Sequence, residues 1–285
     1  MEVVTTIGEV RKAVAAARAA GRVVGLVPTM GNLHEGHMSL LDAARASCGF
    51  VAVSLFVNPA QFGPAEDYAG YPRTPEEDLA ACRARGADLV FRPDVSAMYP
   101  AGSLTEVHVP KLSQVLCGAS RPVHFTGVAT VVGKLLNIFQ PDKAFFGAKD
   151  FQQTVVIRRM VKDLDFPVEI VVCPTVREKD GLALSSRNAY LSAEHRRQAP
   201  ALHGSLRLAA GQIGRGFVAA GVLVSVVRAF LAREAPDGIV DYVKVVDPAT
   251  LADVETASPP VLVALAVKFG RARLIDNILV DGPVS

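Results

Sequence analysis

VVGLVPTMGNLHEGHMSLL, residues Val23 to Leu41, opens as a short apolar run, breaks at Pro28, turns through Gly31 and resumes helical spacing after His37. That order predicts a strand, a tight loop and a helix N-terminus, with His34 and His37 at the join. A helix start carries unpaired N–H groups and the positive end of the helix dipole, so an anion is stabilised there before any side chain acts. The two histidines add donors that change with protonation. The stretch therefore predicts a phosphate site at the carboxyl end of a strand.

Working outward, Val10 to Ala20 reads as an alanine-rich helix stopped by Gly21, and the strand runs from Val23 to Val27. A helix from about Met38 to Ser47 leads into a nearly unbroken apolar run, Phe50 to Val57, as expected of a strand buried on both faces of a parallel sheet. This run ends in Asn58, Pro59 and Gln61. Residues 62–75 mix Gly, Pro, Tyr and Asp without either period and predict a mobile surface loop. Thr74 can cap a helix from Pro75 to Arg85, followed by a strand at Asp88 to Arg92. The alternation continues with helix Thr126–Phe139, strand Ala144–Phe146, helix Asp150–Leu164 and strand Val168–Cys173.

Strands alternating with helices of this length predict an α/β fold with a doubly wound, Rossmann-like parallel sheet, whose ligands bind at the carboxyl ends of the strands. Four polar clusters follow strand ends: residues 28–37, 58–61, 147–153 and 174–188. Beyond Asn188, helices near Ser192–Ile213 and Phe217–Arg233 precede strands near Ile239–Val246, Val261–Phe269 and Ala272–Leu279. These describe a smaller C-terminal α+β domain, so the predicted domains are 1–175 and 176–285.

Thirty basic and twenty-eight acidic residues leave a formal charge of +2 without a long run of either sign, and Trp is absent. Neither a polyanion-binding tail nor an aromatic nucleic-acid platform is indicated. The four cysteines, Cys48, Cys82, Cys117 and Cys173, lie far apart and suit a reducing, cytoplasmic setting. No signal pattern is seen around Glu2 and Glu9. The most apolar helical stretch, Phe217 to Leu231, is interrupted by Arg228 and falls short of the roughly 20 residues of a membrane span.

Each motif has a plainer reading beside the chemical one. HEGH at 34–37 suggests two zinc ligands on one helix face, but Glu35 lacks the HExxH arrangement and no third ligand stands at usable spacing. GLALSSRN, Gly181 to Asn188, sets two hydroxyls beside a guanidinium on a loop, suited to phosphate or to a polar linker. In GAKDFQQ, Gly147 to Gln153, Lys149 can neutralise phosphate charge while Asp150 binds ribose or caps its helix. Arg121 and His124 face the same crevice or decorate a loop, and Asn58, Gln61 and Gln153 hold substrate hydroxyls or satisfy backbone.

PTMGNLHEGH, FVNPAQF, YPRTPEEDL, RPVHFTGVATVV, FFGAKDFQQ and REKDGLALSSRN, in this order between Pro28 and Asn188, resemble the pantoate-β-alanine ligase family. That family belongs to the HIGH-signature nucleotidyltransferase superfamily. The resemblance implies a Rossmann-like domain, a C-terminal lid domain and a homodimer. It implies that ATP and pantoate form pantoyl adenylate and pyrophosphate, after which β-alanine displaces AMP. His34, His37, Lys149, Ser185, Ser186 and Arg187 would act on the phosphates with Mg²⁺. Pro28, Thr29, Met30, Gly31, Gly147, Asp150, Val176 and Leu184 would complete the ATP site. Gln61 and Gln153 would hold pantoate, Met30 would line its pocket, and Asn58, Arg121 and His124 would lie near the phosphates and acyl group. Glu77 and Asp78 match an acid pair suited to an outer-shell metal contact.

Two residues depart from the family pattern: Ala148 replaces a glutamate and Phe151 a tyrosine. Alanine can neither orient Lys149 nor hold a metal-bound water. Competing expectations are a cytidylyltransferase of the same superfamily, a zinc hydrolase built on the two histidines, and a non-catalytic nucleotide-binding module.

Overall fold

In the computed structural model, described for residues 1–64, 66, 68–216 and 218–282, the chain divides into two compact units. The first comprises Met1–Gln114, Gly118–Ala148 and Val156–Pro174. The second comprises Val115–Cys117, Lys149–Val155 and the chain from Thr175 onward.

The first unit runs β1 (Glu2–Val4), α1 (Ile7–Ala19), β2 (Val24–Thr29), α2 (Glu35–Ser47), β3 (Phe50–Leu55), α3 (Pro75–Ala84), β4 (Leu89–Phe91), then three single-turn helices, α4 (Val95–Met98), α5 (Pro110–Ser113) and α6 (Cys117–Ser120). It closes with α7 (His124–Phe139), β5 (Lys143–Gly147), α8 (Phe151–Asp163), whose residues up to Val155 count with the second unit, and β6 (Glu169–Cys173). The six strands all pair in parallel, in the order β1-β4-β3-β2-β5-β6. From β2 the chain winds outward through β3 and β4, then returns to the other side of β2 as β5. The switch point therefore lies between β2 and β5, where doubly wound sheets bind their ligands. Leu40, Leu41 and Ala44 of α2 bury against Val27, Val51, Val53 and Phe145 of the sheet. That burial anchors the helix whose first residues follow β2.

Several boundaries differ from the sequence reading for identifiable reasons. A capping box starts α1 before its alanine run: Glu9 N donates to Thr6 Oγ1 at 3.3 Å and Thr6 N to Glu9 Oε2 at 3.0 Å. Helix α2 begins at Glu35 because His34 is its N-cap, so His37 lies on the helix. Helix α7 begins at His124, placing that residue on the helix as well. Thr74 makes no side-chain cap; its hydroxyl donates instead to Asp78 Oδ1 at 3.2 Å. The short edge strand β1 was not expected.

The second unit holds α9 (Ala193–Gln198), α10 (Ala201–Ile213), β7 (Val218–Ala219), α11 (Ala220–Glu234), β8 (Ile239–Val246), β9 (Thr256–Ala257), β10 (Val261–Phe269) and β11 (Ala272–Val280). Strands β11, β10 and β8 form an antiparallel sheet, and β7 pairs with β9. Leu202 and Leu206 of α10 and Leu223, Val227 and Leu231 of α11 bury against Val243, Val245, Leu265 and Val267 of the sheet. The single helix expected from Ser192 to Ile213 is broken between α9 and α10, where Pro200 has no N–H to continue the ladder. Phe217, the expected start of the next helix, lies outside the described residues; that helix begins at Ala220. Among the described residues no helix is long and apolar enough to cross a membrane.

The segments Val115–Cys117 and Lys149–Val155 were expected in the N-terminal domain. Gln152 joins them, its Oε1 accepting from Cys117 N at 3.0 Å and its Nε2 donating to Val115 O at 2.7 Å. Asn277 of β11 donates to Lys149 O at 2.9 Å. These bonds place both segments with the second unit.

Helix α7 approaches the 3₁₀ turn Pro59–Gln61 backbone to backbone at Gly127, where a Cβ would lie 2.3 Å from Ala60 O and 2.5 Å from Gln61 N. Main-chain atoms cannot yield as a side chain can. Gly127→Ala should therefore cost about 1–3 kcal/mol of stability in chemical denaturation; an unchanged midpoint would disprove this close approach.

Candidate active site

Strand β2 delivers Pro28 and Thr29 to its carboxyl end, where the chain leaves the sheet. Thr29 Oγ1 donates to Ser54 O at 2.9 Å and accepts from Gly31 N at 3.3 Å, which turns the backbone at once. Gly31 has φ +83°, and a Cβ there would meet Asp78 Oδ2 at 2.9 Å. Asp78, only 4 % exposed, accepts from Asn32 N at 3.0 Å and Leu33 N at 2.8 Å. Its carboxylate is thus engaged by the loop backbone and by Thr74. Glu77 beside it is exposed. Among the described residues no group of three or more His, Cys, Asp or Glu is gathered as a metal site.

The loop ends in a cap built from histidines. His34 Nδ1 accepts from Gly36 N at 3.1 Å, and His37 Nδ1 accepts from His34 N at 3.3 Å, with ring centroids 4.2 Å apart. Because both Nδ1 atoms accept from backbone N–H groups, the proton of each neutral ring sits on Nε2. Two N–H donors are thereby added to a helix end that is already positive.

Next to this loop, Asn58 is 1 % exposed and uses its whole amide inside the protein. Oδ1 accepts from Ala60 N at 3.3 Å and Tyr99 OH at 2.8 Å; Nδ2 donates to Gln61 Oε1 at 3.1 Å and Gly127 O at 3.0 Å. All four hydrogen-bonding positions are filled. Asn58, expected among the substrate ligands, therefore positions Gln61 rather than reaching a substrate hydroxyl. Burial pushes the Tyr99 hydroxyl up to about 12 despite its bond to Asn58, so it stays a donor. Gln61 Nε2 donates to Met30 Sδ at 2.9 Å, which joins the two expected pantoate contacts.

His124 Nδ1 donates to Gln61 O at 3.1 Å. Arg121 pairs with Glu66, Nε to Oε1 at 2.7 Å and Nη2 to Oε2 at 2.6 Å. Burial works against the Glu66 carboxylate, but the bond and charge of Arg121, aided by His124, outweigh it and hold the group below the ordinary glutamate range. The first unit thus brings together Pro28 to Gly31, His34, His37, Asn58, Gln61, Arg121 and His124, with Asp78 beneath the loop.

Gly147 ends β5, and Lys149 and Asp150 occupy the 3₁₀ turn that follows it. Lys149, Asp150 and Gln153 belong to the second unit with Val176, Leu184 and Ser185 to Arg187. There a short hairpin forms, with Leu184 N donating to Val176 O at 3.0 Å and Glu178 N to Leu182 O at 2.8 Å. Ser185 Oγ accepts from Arg187 N at 3.2 Å and caps the next 3₁₀ turn. Arg177 forks onto Asp276, 3 % exposed, at 2.7 and 2.8 Å, tying the hairpin to β11.

The sequence reading missed Glu66, Tyr99, Gln152, Asp276 and Asn277. Their partners lie 35 to 128 residues away, beyond the reach of local pattern.

Asp78 faces only donors. Asp78→Asn turns an NH₂ group toward an N–H, so it should cost about 1–3 kcal/mol and lower the thermal midpoint. A midpoint equal to the parent's would show that the carboxylate does not hold the loop.

A family profile described as pantoate-beta-alanine ligase matches residues 2–279. The pantothenate synthetase of Moorella thermoacetica is 54 % identical over 284 residues, covering 99 % of each chain. That of Chloroflexus aurantiacus is 54 % identical over 283 residues with the same coverage. The crystal structure of pantothenate synthetase from Thermus thermophilus superposes with a TM-score of 0.92 at 47 % identity, covering 99 % of this chain and 100 % of that one. A Francisella tularensis pantoate-beta-alanine ligase, solved with beta-gamma ATP and beta-alanine, gives a TM-score of 0.81 at 32 % identity, with 100 % of both chains covered. A loop of PTMGNLHEGH sequence at the switch point of a doubly wound sheet, matched along essentially the whole chain, places this protein in the pantoate-β-alanine ligase family.

Proposed function

We propose that the chain joins pantoate to β-alanine at the expense of ATP, passing through pantoyl adenylate and releasing pyrophosphate and AMP. The observation that carries this reading is the start of α2, where two histidines hold their protons on Nε2 at the positive end of a helix beside the switch point. Such an end is complementary to a polyphosphate whose negative charge grows as pyrophosphate departs.

In the first step the pantoate carboxylate attacks the α-phosphorus in line. His34, His37, Lys149, Ser185, Ser186 and Arg187 neutralise the phosphates in this proposal, and Asp150 with Gly147 takes the ribose. Gln61, Gln153 and Met30 hold pantoate, with Gln61 oriented by Asn58. Catalysis in this step is chiefly positioning and charge stabilisation. In the second step the β-alanine amine attacks the acyl carbon and AMP leaves.

Magnesium is assigned here to the MgATP substrate. Asp78 accepts three hydrogen bonds, from Asn32 N, Leu33 N and Thr74 Oγ1, and Glu77 is exposed, which argues against a prepared metal cage built on this pair. A cytoplasmic setting is supported by four buried cysteines outside any disulfide, which suit reducing surroundings. A homodimer is proposed from the family resemblance, with light scattering as its test. The C-terminal domain expected from the sequence, residues 176–285, is proposed as a lid.

With β-alanine omitted, mass spectrometry should detect pantoyl adenylate formed from ATP and pantoate. Turnover with CTP and a phosphorylated alcohol in its place would end this reading, as would binding without turnover. His34→Ala, His37→Ala and Lys149→Ala should each lower the rate of adenylate formation by roughly 10²–10³-fold. Variants that lost substrate affinity alone, with bound-state turnover intact, would reverse the assignment of these groups to the transition state.

A further inference from the structure

The pair between Arg121 and Glu66 is unexplained by adenylate formation. It lies beside the pantoate contacts, since Arg121 Nη2 also reaches Gln61 O at 3.4 Å and His124 bonds the same carbonyl. The Arg121 and Glu66 side chains are only 17 % and 26 % exposed, so neither is a solvated surface charge. An acid next to an acyl-activating site needs a reason.

The second half-reaction supplies one. At neutral pH β-alanine is a zwitterion, and its ammonium group has no lone pair with which to attack. A guanidinium and a carboxylate in contact are complementary to such a molecule, whose own carboxylate and ammonium can replace each half of the pair. On the ligase reading above, we propose that Glu66 is the general base for β-alanine: the substrate carboxylate takes Arg121 away from Glu66, and Glu66 removes the ammonium proton.

The exchange makes Glu66 a base when it is needed. Arg121 and His124 are the charged groups that act on it, and the Gly63 N–H is its backbone donor. Burial opposes its charge, and the Arg121 pair is the main influence holding it ionised. When β-alanine neutralises Arg121, burial is no longer offset and the carboxylate's proton affinity rises. One proton passes from the ammonium to Glu66, leaving a neutral amine and a carboxylic acid. The amine lone pair then forms the C–N bond, and the acyl C–O bond breaks with its electron pair leaving on AMP. The second nitrogen proton departs to solvent as the amide forms, and Glu66 later returns its own proton to solvent.

The test separates the two half-reactions in Glu66→Gln. Without β-alanine the variant should form pantoyl adenylate as the parent does; failure of the parent to form it would instead sink the ligase reading. With β-alanine at neutral pH, consumption of the adenylate should slow by about 10²-fold, mainly in kcat rather than in the β-alanine KM. The loss should shrink as pH rises and the free amine fraction grows. Hydroxylamine, uncharged at neutral pH, should discharge the adenylate at equal rates in parent and variant, and Glu66→Asp should recover part of the β-alanine rate. The proposal is overturned by a parent-like β-alanine rate in Glu66→Gln, by an increase in KM alone, or by equal slowing with hydroxylamine. A variant unable to form the adenylate would assign Glu66 to loop structure and overturn it equally.

Discussion

A carboxylate almost withdrawn from water, Asp78, is the constraint on which the loop between β2 and α2 depends. Its two oxygens collect the N–H groups of Asn32 and Leu33 together with the Thr74 hydroxyl, and so fix the turn between β2 and α2. A buried anion is costly unless it is hydrogen-bonded, and here two loop N–H groups and the Thr74 hydroxyl bond it. Loop and helix α3 therefore stabilise each other. The same carboxylate occupies the space beside Gly31, whose backbone turns with φ +83°. With the turn fixed, His34 falls at the N-cap of α2, and the ring tautomers follow from the caps.

Asn58 plays the corresponding part after β3, where the proposal places pantoate. Its filled amide links the 59–61 turn, Tyr99 and α7, and Gln61 extends the link to Met30. A group with all four positions used cannot also bind a ligand. It can, however, hold a neighbour in one rotamer. The division of labour is between an amide whose positions are all filled, which orients, and its neighbour Gln61, which it holds.

The alternation of apolar strand and amphipathic helix was readable from the sequence because burial on one or both faces leaves periodic marks. It placed the doubly wound sheet and the strand-end clusters. Boundaries failed where a cap or a proline decided them: Thr6 with Glu9 at α1, His34 at α2, Pro200 between α9 and α10. Strands as short as β1 and β7 carry too few residues for a period. Within the site, residue types were legible but their duties were not. Asn58 and Gln61 look alike as strand-end amides and both are buried; the one that orients is distinguished by the four partners that fill its amide. Asp78 entered as a metal contact only through the family resemblance, and its bonds to the loop N–H groups join residues 45 and 46 positions apart, beyond local pattern. Glu66 gave no pattern at all, since its partner Arg121 stands 55 residues later.

Ala148 poses a sharper question, because it removes a carboxylate next to Lys149. What that glutamate could do depends on how Lys149 is held. Its carbonyl accepts from Asn277 Nδ2 at 2.9 Å, and it sits in a 3₁₀ turn directly after β5. The main chain at this position is therefore tied to β11 by a bond that does not involve a side chain at residue 148. The ammonium itself is a compact charge on a flexible stem, which acts on a phosphate by proximity and without the angular demand of a guanidinium fork. A neighbouring acid would also compete with phosphate for that charge. Loss of the glutamate thus leaves the anchoring of Lys149 intact and removes a competing partner, so the departure is compatible with the adenylylation proposed here.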